Sequence, residues 1–147
     1  MRLLCDEMFG SLARWLRMMG HDVLYPRDLN DDDIIAVARE EDRFILTRDR
    51  DMHRRYPRSL YIHENHLEDQ LRVTIDTLNL EIMPEKSRCS SCNGLLARVG
   101  KEEVAGRVPP HTFQTQEEFF LCQDCEKIFW RGSHWERIDA LMRSLSD

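Results

Sequence analysis

Phe44-Ile45-Leu46-Thr47, followed at once by Arg48-Asp49, is the most informative stretch of the sequence for the architecture. A continuous apolar run of this kind is typical of a strand buried on both faces of a parallel sheet. Similar short runs precede it at residues 2–5 and 22–25, and another follows at 60–62. Apolar residues between these runs recur at helical spacing. Strands that alternate with helices predict an α/β fold, a small parallel sheet with helices on both faces.

Local signals predict where the helices begin and end. Gly20 is typical of the left-handed residue that follows a helix. Asn30 can cap a helix whose first turn is acidic, and carboxylates there are also favoured by the helix dipole. Asn65 and Glu68 have the spacing of a capping box at the start of a later helix.

This alternation of strands and helices ends near Met83-Pro84. From Ser87 the sequence is turn-rich and punctuated by cysteines, and it closes with an amphipathic stretch at residues 134–145. We therefore predict two domains, residues 1–84 and residues 85–147, the second ending in a helix.

The composition restricts the classes of protein to which the chain can belong. Its 147 residues are 41% apolar and 33% charged, which indicates a compact core and excludes a disordered chain. No apolar run approaches the roughly 18 residues of a membrane-spanning helix, and the N-terminal run is too short for a signal peptide, so we expect a cytoplasmic protein. The net charge of −6 argues against a passive nucleic-acid binder, which is usually basic. It is compatible with a nuclease whose carboxylates hold metal ions.

Aspartates follow the strands where the sites of parallel sheets form. Asp6 follows the first strand, Asp49 and Asp51 follow the third, and Asp31–Asp33 open the helix between the second and third strands. Because the carboxyl ends of parallel strands meet at one edge, we expect these side chains to converge. Close carboxylates repel one another, and an oxygen-ligated Mg²⁺ or Mn²⁺ relieves the repulsion. The predicted catalytic residues and metal ligands are Asp6, Asp31 or Asp32, Asp49 and Asp51.

Such a site is suited to hydrolysing phosphodiesters through metal-activated water. Six arginines lie between residues 43 and 58 with only two acids among them. Arginine binds phosphate through two parallel hydrogen bonds. We predict that Arg48, Arg50, Arg54 and Arg55 position phosphate. The alternatives are that the aspartates cap helices or face solvent, and that the arginines pair with local acids.

Four of the five cysteines form two Cys-x-x-Cys pairs, Cys89/Cys92 and Cys122/Cys125, separated by 29 residues. This spacing predicts a tetrahedral structural zinc site. A segment of this length buries little core of its own, so metal binding would supply folding free energy. One alternative is an iron ion bound by the same four cysteines, and another is that the cysteines form a reversible redox pair. We predict that Cys5 is an apolar strand residue, with metal ligation as a minor alternative.

Both predicted domains contain several short motifs. In the first domain they are Leu4-Cys5-Asp6-Glu7, Leu12-Ala13-Arg14-Trp15-Leu16, Gly20-His21-Asp22-Val23, Asp31-Asp32-Asp33-Ile34-Ile35 and Leu46-Thr47-Arg48-Asp49. In the second they are Cys89-x-x-Cys92-Asn93-Gly94, Glu103-Val104-x-x-Arg107-Val108-Pro109, Cys122-x-x-Cys125 and Trp130-Arg131-Gly132-Ser133-His134-Trp135. The first set resembles the PIN-like nuclease superfamily. With the second set, the chain resembles the Mut-seven C-terminal RNase domain family, a PIN-like domain fused to a zinc ribbon.

The resemblance implies a metal-dependent ribonuclease with RNA as its substrate. By position it maps family acids onto Asp6, Asp31 or Asp32, Asp49 and Asp51, with Glu7 as a weaker candidate. The main alternative to this function is a non-catalytic zinc-ribbon adaptor that binds RNA or a protein partner. A third possible function is that of a DNA nuclease that uses the same chemistry. For Trp130, His134 and Trp135 we favour packing over contact with RNA, while Arg131 could touch phosphate in either case.

Overall fold

The computed structural model describes residues 1–146, apart from the side chains of six residues of the last helix. Those six are Ser133, His134, Trp135, Ile138, Met142 and Ser146. The predictions for His134 and Trp135 therefore lie outside the described residues. The chain divides into two compact units, Met1–Asn93 and Gly94–Asp147.

The first unit is built on a parallel sheet. Its strands are β1 (Arg2–Cys5), β2 (Asp22–Leu24), β3 (Phe44–Thr47) and β4 (Ser59–Tyr61), in the order β2-β1-β3-β4. Every neighbouring pair is parallel. In the central strands β1 and β3, the side chains of Leu3, Leu4, Cys5, Ile45 and Leu46 are fully buried, which is why these sequences are continuously apolar. The predicted α/β class with a parallel sheet is confirmed.

Helices connect the strands and follow the last of them. They are α1 (Gly10–Met18), α2 (Asp31–Glu40), α3 (Arg50–Arg55) and α4 (Leu67–Leu78), and a single 3₁₀ turn, Glu7–Phe9, precedes α1. Gly20 follows α1 with φ of +102°, as predicted. The predicted cap of α2 is also confirmed, because Asn30 Oδ1 accepts a hydrogen bond from the Asp33 amide at 2.8 Å.

The predicted capping box at α4 is wrong. This helix begins at Leu67 after His66, and no side chain caps it. Asn65 Oδ1 instead accepts a hydrogen bond from Arg48 Nη2 at 2.6 Å. A bond from a charged guanidinium is stronger than one from a neutral backbone amide, so Asn65 faces Arg48 rather than its own helix.

The first cysteine loop, residues 89–93, is hydrogen-bonded to α1 and β2. Buried Arg17 donates from Nε to the Val23 carbonyl and from Nη1 to the Ser90 carbonyl, both at 2.9 Å. The Asn93 side chain accepts from the Val23 amide at 2.9 Å and donates to Asp22 Oδ1 at 2.7 Å. The Asn93 side chain thus supplies a hydrogen-bond acceptor for the Val23 amide of β2, which is an edge strand of the sheet.

The environment of Asp22 favours its ionised form. Burial alone would raise the pKa of Asp22, but hydrogen bonds from Asn93 and Arg43 outweigh it and hold the pKa below its ordinary value. The bond from Asn93 therefore stabilises the folded state above the ordinary pKa of an aspartate, about 3.9, and this contribution is lost as the pH falls below it.

We expect Asn93→Gly to lower the free energy of unfolding by about 1–3 kcal/mol, because it leaves the Val23 amide without its acceptor and removes one hydrogen bond from the Asp22 carboxylate, which keeps its bond from Arg43. Glycine keeps the backbone of this position, where φ is +72°. Asn79→Gly is the matched control, since Asn79 also has positive φ but its side chain makes no hydrogen bond with the described residues. Urea unfolding at pH 7 checks the prediction, which fails if both variants unfold at the same concentration.

The second unit contains an antiparallel sheet. Its strands are β5 (Leu96–Val99), β6 (Phe119–Cys122) and β7 (Ile128–Trp130), in that order. Two helices accompany them, α5 (Pro110–Thr115) and the terminal α6 (Ser133–Ser146), which confirms the predicted last helix. The Trp130 ring packs edge-on against buried Phe119, with 6.5 Å between centroids. Among the described residues, no helix is long and apolar enough to cross a bilayer.

Candidate active site and metal centre

Asp6 and Asp49 follow neighbouring strands at the carboxyl edge of the parallel sheet. Asp6 Oδ2 accepts hydrogen bonds from Thr47 Oγ1 at 2.7 Å and from the Arg48 amide at 2.8 Å. Thr47 Oγ1 in turn accepts from the Asp49 amide at 3.0 Å. The buried Thr47 hydroxyl therefore links the carboxylate of Asp6 to the backbone of Asp49.

Local backbone donors fix the orientation of both carboxylates. Asp6 Oδ1 accepts from the Met8 amide at 3.0 Å. Asp49 caps α3, with its Oδ1 accepting from the Asp51 and Met52 amides at 2.8 and 3.3 Å. Asp49 Oδ2 accepts no hydrogen bond from the described residues, and Asp49 is an exposed residue. A carboxylate oxygen can accept more than one bond, so both groups retain lone pairs for a cation.

The other predicted carboxylates surround Arg55 instead. Arg55 forms an ion pair with Asp32, and Arg54 forms one with Asp51. The hydrogen bond with Asp32 raises the pKa of Arg55, and the charges of Asp32, Asp51 and Asp31 raise it further. Asp31, Asp32 and Asp51 are thus near one guanidinium. Within the described residues, no three of the predicted aspartates bring their oxygens close enough to share one ion.

Each arginine predicted to position phosphate has a partner within the first unit. Arg48 Nη2 donates to the carbonyls of His63 and Glu64 and to Asn65 Oδ1, which fixes the loop after β4. Arg50 lies over the Tyr61 ring, 5.4 Å from its centroid. Arg54 and Arg55 pair with acids, as the alternative interpretation of these arginines predicts.

Arg14 and Arg27, which the sequence analysis did not select, line a groove next to Asp6. The groove has a volume of about 460 Å³ and also includes Met8, Tyr25 and Asn65. Arg14 lies on α1 among residues that pack the core, and Arg27 lies in the loop after β2. Neither position carries a sequence signal of its own, because the groove exists only when these segments meet.

The four cysteines of the Cys-x-x-Cys pairs are positioned to bind a metal ion. Their sulfur atoms all lie within 4.8 Å of one another, near the roughly 3.8 Å between ligands of a tetrahedral zinc–thiolate site. Cys122 Sγ accepts from the amides of Asp124 and Cys125, each at 3.4 Å, which stabilises a thiolate. A side chain at Gly94 would come within 2.8 Å of this sulfur, so the loop requires glycine there.

Cys5 does not share this chemistry. Burial raises the pKa of its thiol, and the charge of Asp6 raises it further. The side chain is fully buried in β1 and protonated, so it packs as an apolar residue. This is the role that the sequence favoured.

The sequence profile of the Mut7-C RNAse domain matches residues 1–142. Searches of curated proteins and of solved structures gave no significant match. The matched region runs from β1 into α6 and includes both the strand-end aspartates and the four cysteines. The chain therefore belongs to the Mut7-C RNAse domain family.

Proposed function

We propose that this protein is a metal-dependent ribonuclease that hydrolyses RNA phosphodiester bonds at Asp6 and Asp49. The family indicates a nuclease-type function with RNA as substrate. The observation that carries the proposal is the link through Thr47, whose hydroxyl joins the Asp6 carboxylate to the backbone amide of Asp49 at the neighbouring strand end. Rigid strand ends suit this role because metal ligands must be held to within about 0.5 Å.

Mg²⁺ or Mn²⁺ bound by these aspartates would activate the attacking water and stabilise the leaving oxygen. Asp6 is oriented by the Thr47 hydroxyl and by the amides of Met8 and Arg48, so its free lone pairs keep a fixed direction. Asp49 Oδ1 caps α3, while Oδ2 accepts no hydrogen bond from the described residues. Both carboxylates are therefore already ordered by hydrogen bonds, so cation binding would cost little side-chain entropy.

Asp31 or Asp32 and Asp51 complete the proposed ligand set. Their ion pairs with Arg54 and Arg55 are exposed, and exposed pairs add little to stability. A divalent cation can therefore compete with these arginines for the carboxylates. The arginines released would stay near the site, where they could bind phosphate.

The four cysteines are proposed to hold a structural Zn²⁺. Four thiolates close a tetrahedral site and leave no position for substrate, so this ion would support the fold rather than the reaction. We place the protein in the cytoplasm, where thiolates stay reduced.

Cleavage of a labelled single-stranded RNA tests the ribonuclease proposal. We expect the purified protein to cut the RNA with added Mn²⁺ and to stop when EDTA is added in excess, because water is not activated without the ion. A DNA strand of the same sequence is the matched substrate control. A protein that leaves the RNA intact with Mn²⁺ would contradict the proposal.

A non-catalytic adaptor is the second candidate, and the pairing of Asp32 and Asp51 with arginines favours it. Calorimetric titration of the zinc-loaded protein with Mn²⁺ separates the two functions. The nuclease should show a second, weaker site that disappears in Asp49→Asn. An adaptor should show no binding beyond the zinc site.

A further inference from the structure

The groove beside Asp6 has the size and chemistry of a nucleotide site. Its volume of about 460 Å³ lies within the range of small-ligand pockets, roughly 300–1,000 Å³. It is formed by the start of α1, the loop after β2 and the start of α4. The lining combines two cations, the aromatic residues Phe9 and Tyr25, and amide side chains, and it thus includes the groups that recognise phosphates and bases.

The two cations of the groove are available to a ligand. Arg14 and Arg27 are exposed, and neither forms an ion pair or a hydrogen bond with any residue that the structure describes. Arg54 and Arg55, in contrast, are paired with aspartates. A guanidinium offers five donors that match phosphate oxygens in pairs. Two such groups beside one groove favour an anionic ligand.

Tyr25 supplies the aromatic surface, and its position depends on Gly10. The Tyr25 hydroxyl donates to the Glu7 carbonyl at 2.7 Å. A Cβ atom at Gly10 would lie 3.0 Å from that hydroxyl, so glycine allows the ring to lie close to the start of α1. Aromatic rings held in this way are the usual platforms for bases of single-stranded nucleic acid.

Two short connections join the groove to the carboxylate of Asp6. Met8 lines the groove, and its amide donates to Asp6 Oδ1 at 3.0 Å. Arg48 donates from its amide to Asp6 Oδ2 at 2.8 Å and from its side chain to Asn65, which also lines the groove. An RNA strand with a phosphate at Asp6 would therefore have its next nucleotide within reach of the groove.

We propose that this groove binds the nucleotide adjacent to the scissile bond, with Arg14 and Arg27 on phosphates and Tyr25 against the base. The proposal rests on the ribonuclease function and deepens it, because it assigns the substrate segment that the protein holds. It also explains how an acidic protein retains a polyanion: Arg14 and Arg27, which have no partner among the described residues, lie beside the metal site rather than on it.

Equilibrium binding of a short, fluorescently labelled single-stranded RNA tests the groove independently of cleavage. The measurement uses the full-length, zinc-loaded Asp49→Asn protein without added Mn²⁺, so that the RNA is not cut. We expect Arg14→Gln and Arg27→Gln each to weaken binding about tenfold. The slope of log affinity against log salt should become shallower by about 0.7 for each phosphate that the variant no longer neutralises. Tyr25→Leu should weaken binding about tenfold, and Tyr25→Phe should retain most of it.

Arg39→Gln is the matched control, because Arg39 is an exposed arginine on α2 whose side chain has no partner in the described residues. If the variants at Arg14 and Arg27 bind RNA with the affinity and salt slope of Arg39→Gln, the groove proposal is overturned, whether or not the wild type cuts RNA. Absence of measurable RNA binding overturns it as well. If the groove variants weaken binding while the wild type is inert with Mn²⁺, the groove stands and the nuclease proposal fails.

Discussion

Asp49→Asn will reduce Mn²⁺-dependent RNA cleavage by about a thousandfold or more and leave the free energy of unfolding nearly unchanged. Asparagine caps helices as well as aspartate does, and its carbonyl oxygen can replace Asp49 Oδ1 as acceptor for the first amides of α3. The substitution removes the negative charge and replaces Oδ2, the oxygen that would bind the cation, with an NH₂ group. A thousandfold loss corresponds to about 4 kcal/mol, within the several kcal/mol that a catalytic metal supplies.

The experiment compares single-turnover cleavage rates and urea unfolding for each protein. Asp76→Asn is the control, because Asp76 is exposed on α4 and its side chain makes no contact among those described. Asp49→Ala should lose the same activity and, in addition, about 1 kcal/mol of stability from the missing cap. Equal cleavage by Asp49→Asn and the wild type would show that Asp49 is not a catalytic ligand.

Asp6→Asn is a less specific test of the same site. Asp6 accepts hydrogen bonds on both oxygens, from Thr47, Arg48 and Met8. An asparagine in either orientation would turn its NH₂ group toward at least one of these amide donors, at a cost of about 1–3 kcal/mol. Lost activity in this variant would combine the missing metal ligand with a disturbed strand end.

Cys122→Ser will abolish stoichiometric zinc binding and unfold the second unit, Gly94–Asp147. In this unit the buried apolar side chains that the structure describes include Val104, Phe119 and Leu141, which is a small core for its length. Zinc–thiolate sites contribute about 10–16 kcal/mol of apparent binding free energy, more than a core of this size can replace. Serine keeps the volume of cysteine but is a poor zinc ligand.

Metal analysis by mass spectrometry and limited proteolysis will measure these two effects. Cys5→Ala is the matched control: it also removes a buried cysteine but keeps all four ligands, so it should retain one zinc and resist proteolysis within residues 94–146. A Cys122→Ser protein that still holds one equivalent of zinc, or that stays protease-resistant without it, would contradict a structural role of the metal.

Strands and caps were predictable here wherever a local pattern determined them. Residues 44–47 are apolar because β3 is central, and Asn30 precedes the helix that it caps. The six-residue α3 was not predicted, because a helix of this length has too few turns to show periodicity and buries only Met52. The failure at Asn65 has a different cause, since its partner Arg48 lies 17 residues away. No local pattern contains that contact.

The candidate site was likewise predictable only where the order of strands and helices determined it. Adjacent parallel strands bring Asp6 and Asp49 to one edge, and this follows from the order of elements alone. The buried Thr47 hydroxyl that links them depends on side-chain geometry, as does the pairing of Asp32 with Arg55. Arg43 shows why such contacts could not be predicted from the sequence. In the sequence it belongs to a basic stretch, but in the structure it is buried and donates hydrogen bonds to the Leu3 carbonyl and to Asp22.

The bonds that attach the first cysteine loop to α1 and β2 restrict where the gene could be divided. Truncation at residue 84 would remove Asn93 from the outer side of β2 and deprive buried Arg17 of the Ser90 carbonyl. A sheet edge exposed in this way is a template for pairing with other chains, so the shortened protein should aggregate. A chimaera that joins segments of two relatives would keep these bonds only when the junction falls after Asn93. The cysteine loop is therefore part of the same compact unit as the parallel sheet.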